Sequence, residues 1–373
     1  MAEPRLSPES AMKAALRLAA AGDGTTWPNP SVGAVIFRGG RILGRGRTRP
    51  VGGDHAEIVA LASARRRVGD RGLRGASLAV TLEPCAVQGR TGPCVEALVE
   101  AGLRRVFIGC RDSNPKVNGR GVRQLRRSGI EVEVLSNREC RLQHRGFLSV
   151  QERGRPFVSL KLAATLDGRI ATAEGESRWI TGPKARRFVH DLRARSDAIL
   201  IGADTALADD PRLDVRRPGK PRLRPVRVLV DSRLRVPLEA RLYRGRDVDR
   251  TWVLCSRQAR GRKARLDRGA RILETPARAG HVDLRRALAR LAREGLTEVL
   301  VEGGGELAAA LLRRELVDEL HWFTAPSLIG GDGRPALGAL GLRTLSSATF
   351  LRDLRTRQLD SDVLFSGSIG DFP

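Results

Sequence analysis

The sequence has little lysine, few aromatic rings and no long apolar run. Of its 67 basic side chains only six are lysine, and its 373 residues include one tyrosine and four tryptophans. So few large rings make a poor stacking platform for single-stranded nucleic acid. No apolar stretch approaches the roughly 20 residues that a membrane-spanning helix needs. The opening Met1–Ser10 is polar, so no cleavable leader is expected. Five cysteines, an odd number in a long chain, fit a cytoplasmic, reduced protein better than a disulfide scaffold. Those cysteines then become candidates for metal binding or catalysis.

The formal charge is +25, and the arginines that supply it are spread along the whole chain rather than gathered in a tail. This reads as a solvated arginine-rich surface, and no nucleic-acid partner is expected. Hydrophobic residues make up 41% and charged residues 29%, enough apolar material for a packed core. One core rarely grows past about 250–300 residues, so two domains are expected.

Pattern and punctuation divide the first part into short elements. Helical spacing covers Ser10–Ala21, Ile58–Ala64, Val95–Ala101 and Val122–Ser128. Strands are expected at Val32–Phe37 and Arg41–Gly46, joined by the Gly39–Gly40 turn, and at Ala76–Thr81, Arg105–Cys110 and Ile130–Leu135. Such alternation describes a small α/β/α sandwich. The polar stretch Gln151–Pro156 marks a boundary, giving domains over 1–150 and 151–373. Beyond it, strands are expected at Phe157–Leu162, Ala198–Gly202, Val226–Val230, Thr251–Cys255, Glu298–Glu302 and Leu320–Thr324. Helices at Pro183–Arg195, Leu284–Glu294 and Glu306–Arg314 interleave with them, which makes a second α/β domain. Val215–Pro225 and Arg257–Gly269 read as surface loops.

One constellation in the first domain carries chemistry. His55-Ala56-Glu57 opens a helical pattern, and Pro84-Cys85 and Pro93-Cys94 follow downstream. A catalytic zinc takes three protein ligands and keeps a fourth position for water. His55, Cys85 and Cys94 supply one imidazole and two thiolates, and Glu57 stands close enough to take and return a proton. H-x-E followed by Pro-Cys and a second cysteine is the pattern of zinc deaminases that act on nucleobases.

The two cysteines are separated by eight residues, Ala86 to Pro93, where nucleic-acid and nucleoside deaminases have two. That stretch resembles the deaminase domain of the bifunctional riboflavin-biosynthesis deaminase/reductases. So do Pro28-Asn29-Pro30-Ser31-Val32-Gly33-Ala34-Val35 and Asn114-Pro115 through Gly119-Arg120-Gly121. The resemblance implies a cytidine-deaminase-like fold and exchange of the 2-amino group of a phosphoribosylamino-diaminopyrimidinone for oxygen. This chain departs from the pattern at Thr48, Val87 and Gln88, where the family usually has histidine, and at Gly92, where proline is common. Those departures leave open a second reading, a reductase whose deaminase half is inactive or acts on a related pyrimidine.

The second domain resembles the reductase partner of the same family. The resemblance rests on Ser159-Leu160-Lys161-Leu162-Ala163-Ala164-Thr165-Leu166-Asp167-Gly168-Arg169, Gly175–Gly182, Leu192–Leu200, Gly202–Thr205, Asp209–Leu213 and Val301–Leu307. It implies a dihydrofolate-reductase-like α/β fold and hydride transfer from NADPH to C1′ of the ribose. By the same resemblance Ala163, Trp179, Thr205 and Asp209 contact NADPH, and Ser177, Arg193, Leu213, Arg216 and Glu302 face the substrate. Gly303-Gly304-Gly305 stands between an expected strand and an expected helix, where backbone N–H groups can approach the cofactor phosphates. The arginines suit a substrate that carries a 5-phosphate. The resemblance also implies a homo-oligomer formed through the reductase domains.

Overall fold

The computed structural model describes residues 6–86, 92–217, 224–259 and 269–370. The chain divides into two compact units, with the division between Gly154 and Arg155.

The first unit runs α1 (Pro8–Ala20), β1 (Gly33–Arg38), β2 (Arg41–Arg47), α2 (Ala56–Leu73), β3 (Ser77–Leu82), α3 (Cys94–Glu100), β4 (Arg105–Cys110), α4 (Arg120–Arg127), β5 (Glu131–Val134), α5 (Arg138–Gln143) and α6 (Arg145–Arg153). Its sheet has the order β2-β1-β3-β4-β5. The β1–β2 and β1–β3 pairs are antiparallel, whereas β3, β4 and β5 run parallel. β3 is buried along nearly its whole length, as a central strand covered on both faces must be. The α1 N-terminus is fixed by Ser7, whose Oγ accepts from the Ser10 N–H at 3.2 Å.

Two glycines on β2 decide where α2 lies. A Cβ on Gly44 would stand 2.3 Å from the Ala60 carbonyl oxygen, and one on Gly46 would stand 2.1 Å from that of Ala56. With hydrogens there instead, the helix rests directly on the strand. Its first turn, which carries Glu57, is thereby held at one end of the sheet.

The second unit runs β6 (Phe157–Thr165), β7 (Arg169–Ala171), α7 (Pro183–Arg195), β8 (Ala198–Gly202), α8 (Ala203–Asp209), β9 (Val226–Val230), β10 (Thr251–Ser256), β11 (Arg271–Thr275), β12 (Ala277–Arg278), β13 (His281–Val282), α9 (Leu284–Arg293), β14 (Glu298–Val301), α10 (Gly305–Leu312), β15 (Glu319–Ala325), β16 (Arg334–Pro335), β17 (Arg352–Leu359) and β18 (Asp362–Ser368). Nine strands form one sheet in the order β11-β10-β9-β8-β14-β6-β15-β18-β17. The first seven are parallel; β18 and β17 are antiparallel additions at one edge. The carboxyl ends of β9, β8, β14 and β6 therefore lie side by side along one edge of the sheet, the usual place for ligands in an open parallel sheet.

The expected elements exist, together with others. Gln151–Arg153, the start of the stretch read as a boundary, finishes helix α6. α5, α6, β7, α8, β11, the short β12, β13 and β16, and the β17–β18 hairpin were not anticipated. Glu302, expected to end a strand, lies just past β14. Part of each expected surface loop, at 218–223 and 260–268, falls outside the described residues.

Candidate active sites

In the first unit, three chain segments meet at one point. His55 is the N-cap residue of α2, Cys85 follows β3, and Cys94 is the first residue of α3. The His55 Nδ1 lies 3.2 Å from Cys94 Sγ and 3.6 Å from Cys85 Sγ. All three donor atoms fall within 4.8 Å of one another. One imidazole and two thiols converging so closely fit a zinc ion held by three ligands with a fourth position open. The Cys94 N–H also points at Cys85 Sγ, at 3.4 Å. Hydrogen bonding with Cys94, and then with His55, draws the Cys85 thiol well below its ordinary range against the cost of burial. Cys85 is thus biased toward the deprotonated state that a metal requires, while its hydrogen bonds shift the Cys94 thiol and the His55 imidazole upward.

Glu57 follows one residue into α2 and is only 4% exposed. Burial pushes its carboxyl up to about 7, and the neighbouring Cys85 adds to the rise. A carboxyl that titrates near neutrality can both accept and return a proton.

A cleft of about 160 Å³ opens at this point, and Asn29, Thr48, His55, Glu57, Glu83, Cys85, Asp112 and Asn114 are among its walls. Glu83 shapes it. Its Oε2 accepts from the Gly119 and Asp112 N–H groups at 3.1 and 3.4 Å, and its Oε1 accepts from the Val122 N–H at 3.2 Å. One buried carboxylate therefore caps α4 and draws the Asp112–Gly119 loop toward the cleft. Asp112 in turn accepts from the Asn114 N–H at 2.7 Å, and burial raises its carboxyl to about 6. Thr48 is buried, and its Oγ1 accepts from the Val32 N–H at 3.0 Å. Val87 and Gln88 lie outside the described residues.

In the second unit the expected residues gather along the carboxyl edge of the sheet. The Gly304 N–H donates to Thr205 Oγ1 at 2.9 Å, which ties the β14–α10 turn to α8. Side chains would crowd that turn: a Cβ on Gly303 would stand 2.8 Å from the Leu307 side chain, and one on Gly305 would stand 3.0 Å from the Pro335 carbonyl oxygen. Bare backbone at the N-terminus of an eight-residue helix fits a dinucleotide pyrophosphate.

Arg193 and Glu302 meet through two parallel hydrogen bonds, Nε to Oε1 at 2.6 Å and Nη2 to Oε2 at 2.9 Å. The Arg193 Nη1 donates to the Asp214 carbonyl oxygen at 2.9 Å. Burial works against the Glu302 charge, but the guanidinium more than offsets it and holds the carboxyl below its ordinary range. Lys161 on β6 completes the group. Desolvation lowers its ammonium, while the charges of Glu302 and Asp209 oppose that shift.

The other expected residues are less gathered. Arg216 is exposed, its Nε 3.4 Å from Asp214 Oδ1. Asp209 ends α8, and its carbonyl oxygen accepts from Arg178 Nη2 at 2.8 Å. Ser177 is half-buried, and Ala163 packs at the margin of the cluster around Phe323. Trp179 is 71% exposed and carries the Arg186 guanidinium 4.5 Å above its ring. The Leu213 side chain lies inside the core with Ile199 and Ala206, at a backbone φ of +48°.

Sequence reasoning gave no role to Glu83, Asp112, Lys161 or Asp214. Lys161 was the one open to detection, as the single charge in the apolar run Phe157–Ala164. Glu83 and Asp112 act through backbone partners that only the folded loop supplies.

Comparison with known proteins agrees with this geometry. The model described as the cytidine and deoxycytidylate deaminase zinc-binding region matches residues 6–110. The model described as the RibD C-terminal domain matches residues 156–365. The riboflavin biosynthesis protein RibD of Escherichia coli (strain K12) is 40% identical over 364 residues, spanning 94% of this chain and 96% of its own. The protein of the same name from Synechocystis is 38% identical over 370 residues, spanning 97% and 96%. Among solved structures, Acinetobacter baumannii RibD, form 1, superposes with a TM-score of 0.87 at 36% identity over 98% of this chain and 99% of that one. A diaminohydroxyphosphoribosylaminopyrimidine deaminase/5-amino-6-(5-phosphoribosylamino)uracil reductase from Thermotoga maritima superposes with a TM-score of 0.84 at 33% identity, over 97% and 99%. With two domains in the same order and near-complete coverage of its relatives, this chain belongs to the RibD family of riboflavin biosynthesis proteins.

Proposed function

We propose that this protein carries out two consecutive steps of riboflavin biosynthesis. The first is the hydrolytic deamination of 2,5-diamino-6-(5-phosphoribosylamino)pyrimidin-4-one. The second is the NADPH-dependent reduction of the ribosyl group of 5-amino-6-(5-phosphoribosylamino)uracil to ribityl. The observation that carries this reading is the convergence of His55, Cys85 and Cys94 beside the buried Glu57.

The residues up to about 150 are assigned the deaminase role. His55, Cys85 and Cys94 hold zinc, which when bound makes water nucleophilic near neutral pH. Glu57 is the catalytic acid–base: its carboxylate takes the proton of the attacking water and delivers it to the departing amine. Asn29, Asp112 and Asn114 line the cleft and suit the polar edge of a pyrimidine.

The remainder of the chain is assigned the reductase role. NADPH, when bound, supplies the hydride. Ala163, Trp179, Thr205, Asp209 and the Gly303–Gly305 turn are assigned to the cofactor. Ser177, Arg193, Leu213, Arg216 and Glu302 are assigned to the substrate. Arg193 is assigned to act from within its pair with Glu302, and the exposed Arg216, beside Asp214, is assigned to the phosphate. A homo-oligomer formed through this unit completes the reading, and β17, exposed at all but its last residue, is the edge it offers. No helix among the described residues is long and apolar enough to cross a membrane.

The test is ammonia release from the diaminopyrimidinone by zinc-loaded protein without NADPH, with Glu57→Ala as control. Release that vanishes in the variant supports the two-step reading. No release, with NADPH still oxidised on the already deaminated substrate, would confine the protein to the reductase step.

A further inference from the structure

Helix α6 has no part in the chemistry assigned so far, yet it bounds the cleft of the first unit. Phe147, in its first turn, lines that cleft together with Pro30, Val32 and Leu82. The other two phenylalanines of the unit, Phe37 and Phe107, are buried and packed on each other. Phe147 is only half-buried: part of the ring packs against the core and the rest is left to the cleft.

The helix is tied down at both ends. His144, its N-cap residue, has Nε2 2.9 Å from Thr81 Oγ1 on β3. The same hydroxyl oxygen accepts from the Gly33 N–H at 3.1 Å, next to Val32. Near the other end Glu152 Oε1 accepts from Ser113 Oγ at 2.6 Å. Arg141 Nη2 donates to both Glu152 oxygens, at 3.1 and 3.3 Å, and holds that carboxylate in place. Ser113 stands between Asp112 and Asn114, two polar residues of the cleft wall. Phe147 lies between the two ties and is thereby held in register with that wall.

A nucleobase is polar at its edge and apolar on its faces. A site that reads one needs hydrogen-bonding groups in the ring plane and a flat apolar surface across it. Asn29, Asp112 and Asn114 suit the edge. Thr48 lines the same cleft, but its hydroxyl is bound to the Val32 N–H. Among the described residues of the wall, the only aromatic rings are those of His55 and Phe147, and the His55 imidazole is assigned to the metal. We infer that Phe147 is the stacking surface for the pyrimidine ring in the deaminase site, a specificity-determining residue that α6 holds in place. A flat conjugated ring gains from the phenyl face what a puckered, saturated ring cannot.

The inference rests on the deaminase reading, and the experiment separates the two. Glu57→Gln gives a full-length, zinc-loaded parent that binds the diaminopyrimidinone without turning it over. Calorimetry then measures the affinity of this parent and of the same protein carrying Phe147→Leu or Phe147→Tyr. Leucine keeps apolar bulk but has no ring face, and should weaken binding roughly three- to tenfold. Tyrosine keeps the face and should bind within about twofold of the parent. With Glu57 restored, Phe147→Leu should raise KM by a similar factor while kcat stays within about twofold, because stacking acts alike on ground state and transition state. Bound zinc should not change. Leucine binding as tightly as phenylalanine, or leucine and tyrosine weakening binding equally, overturns the stacking role. A fall in kcat and bound zinc with KM unchanged also overturns it, and makes Phe147 a packing residue. A parent that does not bind the diaminopyrimidinone overturns the deaminase reading, and the stacking role falls with it.

Discussion

Arg193 and Glu302 are 109 residues apart in sequence yet share two hydrogen bonds of 2.6 and 2.9 Å, with both side chains nearly out of solvent. A buried ion pair gives little net stability over an apolar pair, but removing one partner strands the other charge. Arg193→Met should therefore cost roughly 3–5 kcal/mol in the second unit. Thermal unfolding and NADPH oxidation read it out together. A variant as stable as the parent would show that the pair is hydrated and contributes only to ligand binding.

Zinc should matter to one activity and not the other. His55, Cys85 and Cys94, the proposed ligands, lie wholly in the first unit, as does Glu57. Chelation, or Cys85→Ser, should abolish ammonia release and lower the bound zinc measured by elemental analysis. NADPH oxidation on the deaminated uracil should persist. Loss of both activities on chelation would mean that the metal also supports the reductase unit.

The convergence of His55, Cys85 and Cys94 could be read from sequence because each is announced by a local feature: His55 and Cys94 at helix starts, Cys85 just past a strand end. The central strands of both sheets were legible for a similar reason, since their apolar runs are short and bounded by turns, whereas β11 and β18 were not. β17 was not, because every residue from Arg352 to Gln358 is exposed and no alternation exists to detect. Gln151–Arg153 gave no helical signal because its side chains are polar, although their backbone continues a helix. Pairings such as Arg193 with Glu302, or Glu83 with the Gly119 N–H, depend on chain closure over long separations, which no local pattern encodes.

Glu83 should behave as a positioning residue. Its carboxylate accepts from Gly119 and Val122 at the start of α4 and from Asp112 on the cleft wall. Glu83→Gln keeps the shape but replaces one acceptor oxygen with a donor. A loss of about 1 kcal/mol is expected for the weakened cap. Deamination should show a raised KM with bound zinc unchanged, because the loop bearing Asp112 and Asn114 loosens while the ligands stay. A fall in zinc content instead would place Glu83 in support of the metal.

His144 should make the first unit acid-sensitive in a defined window. It is buried against β3, with Nε2 2.9 Å from Thr81 Oγ1, and desolvation pushes its pKa down to about 3. In the unfolded chain a histidine titrates near 6.5. Between those values the unfolded state binds a proton that the folded state refuses, so stability falls as pH drops from about 6.5 toward 3. Above pH 7 both states are neutral and the residue contributes no slope. At pH 5 the accumulated loss is roughly 2 kcal/mol, from about 1.4 kcal/mol for each unit below 6.5. His144→Gln removes the titration while keeping a polar group near Thr81. Urea unfolding at pH 7.5 and 5.0 should therefore show a smaller difference in the variant than in the parent. Identical differences would mean that protonation of His144 is accommodated in the folded state, through relaxation of its contact with Thr81.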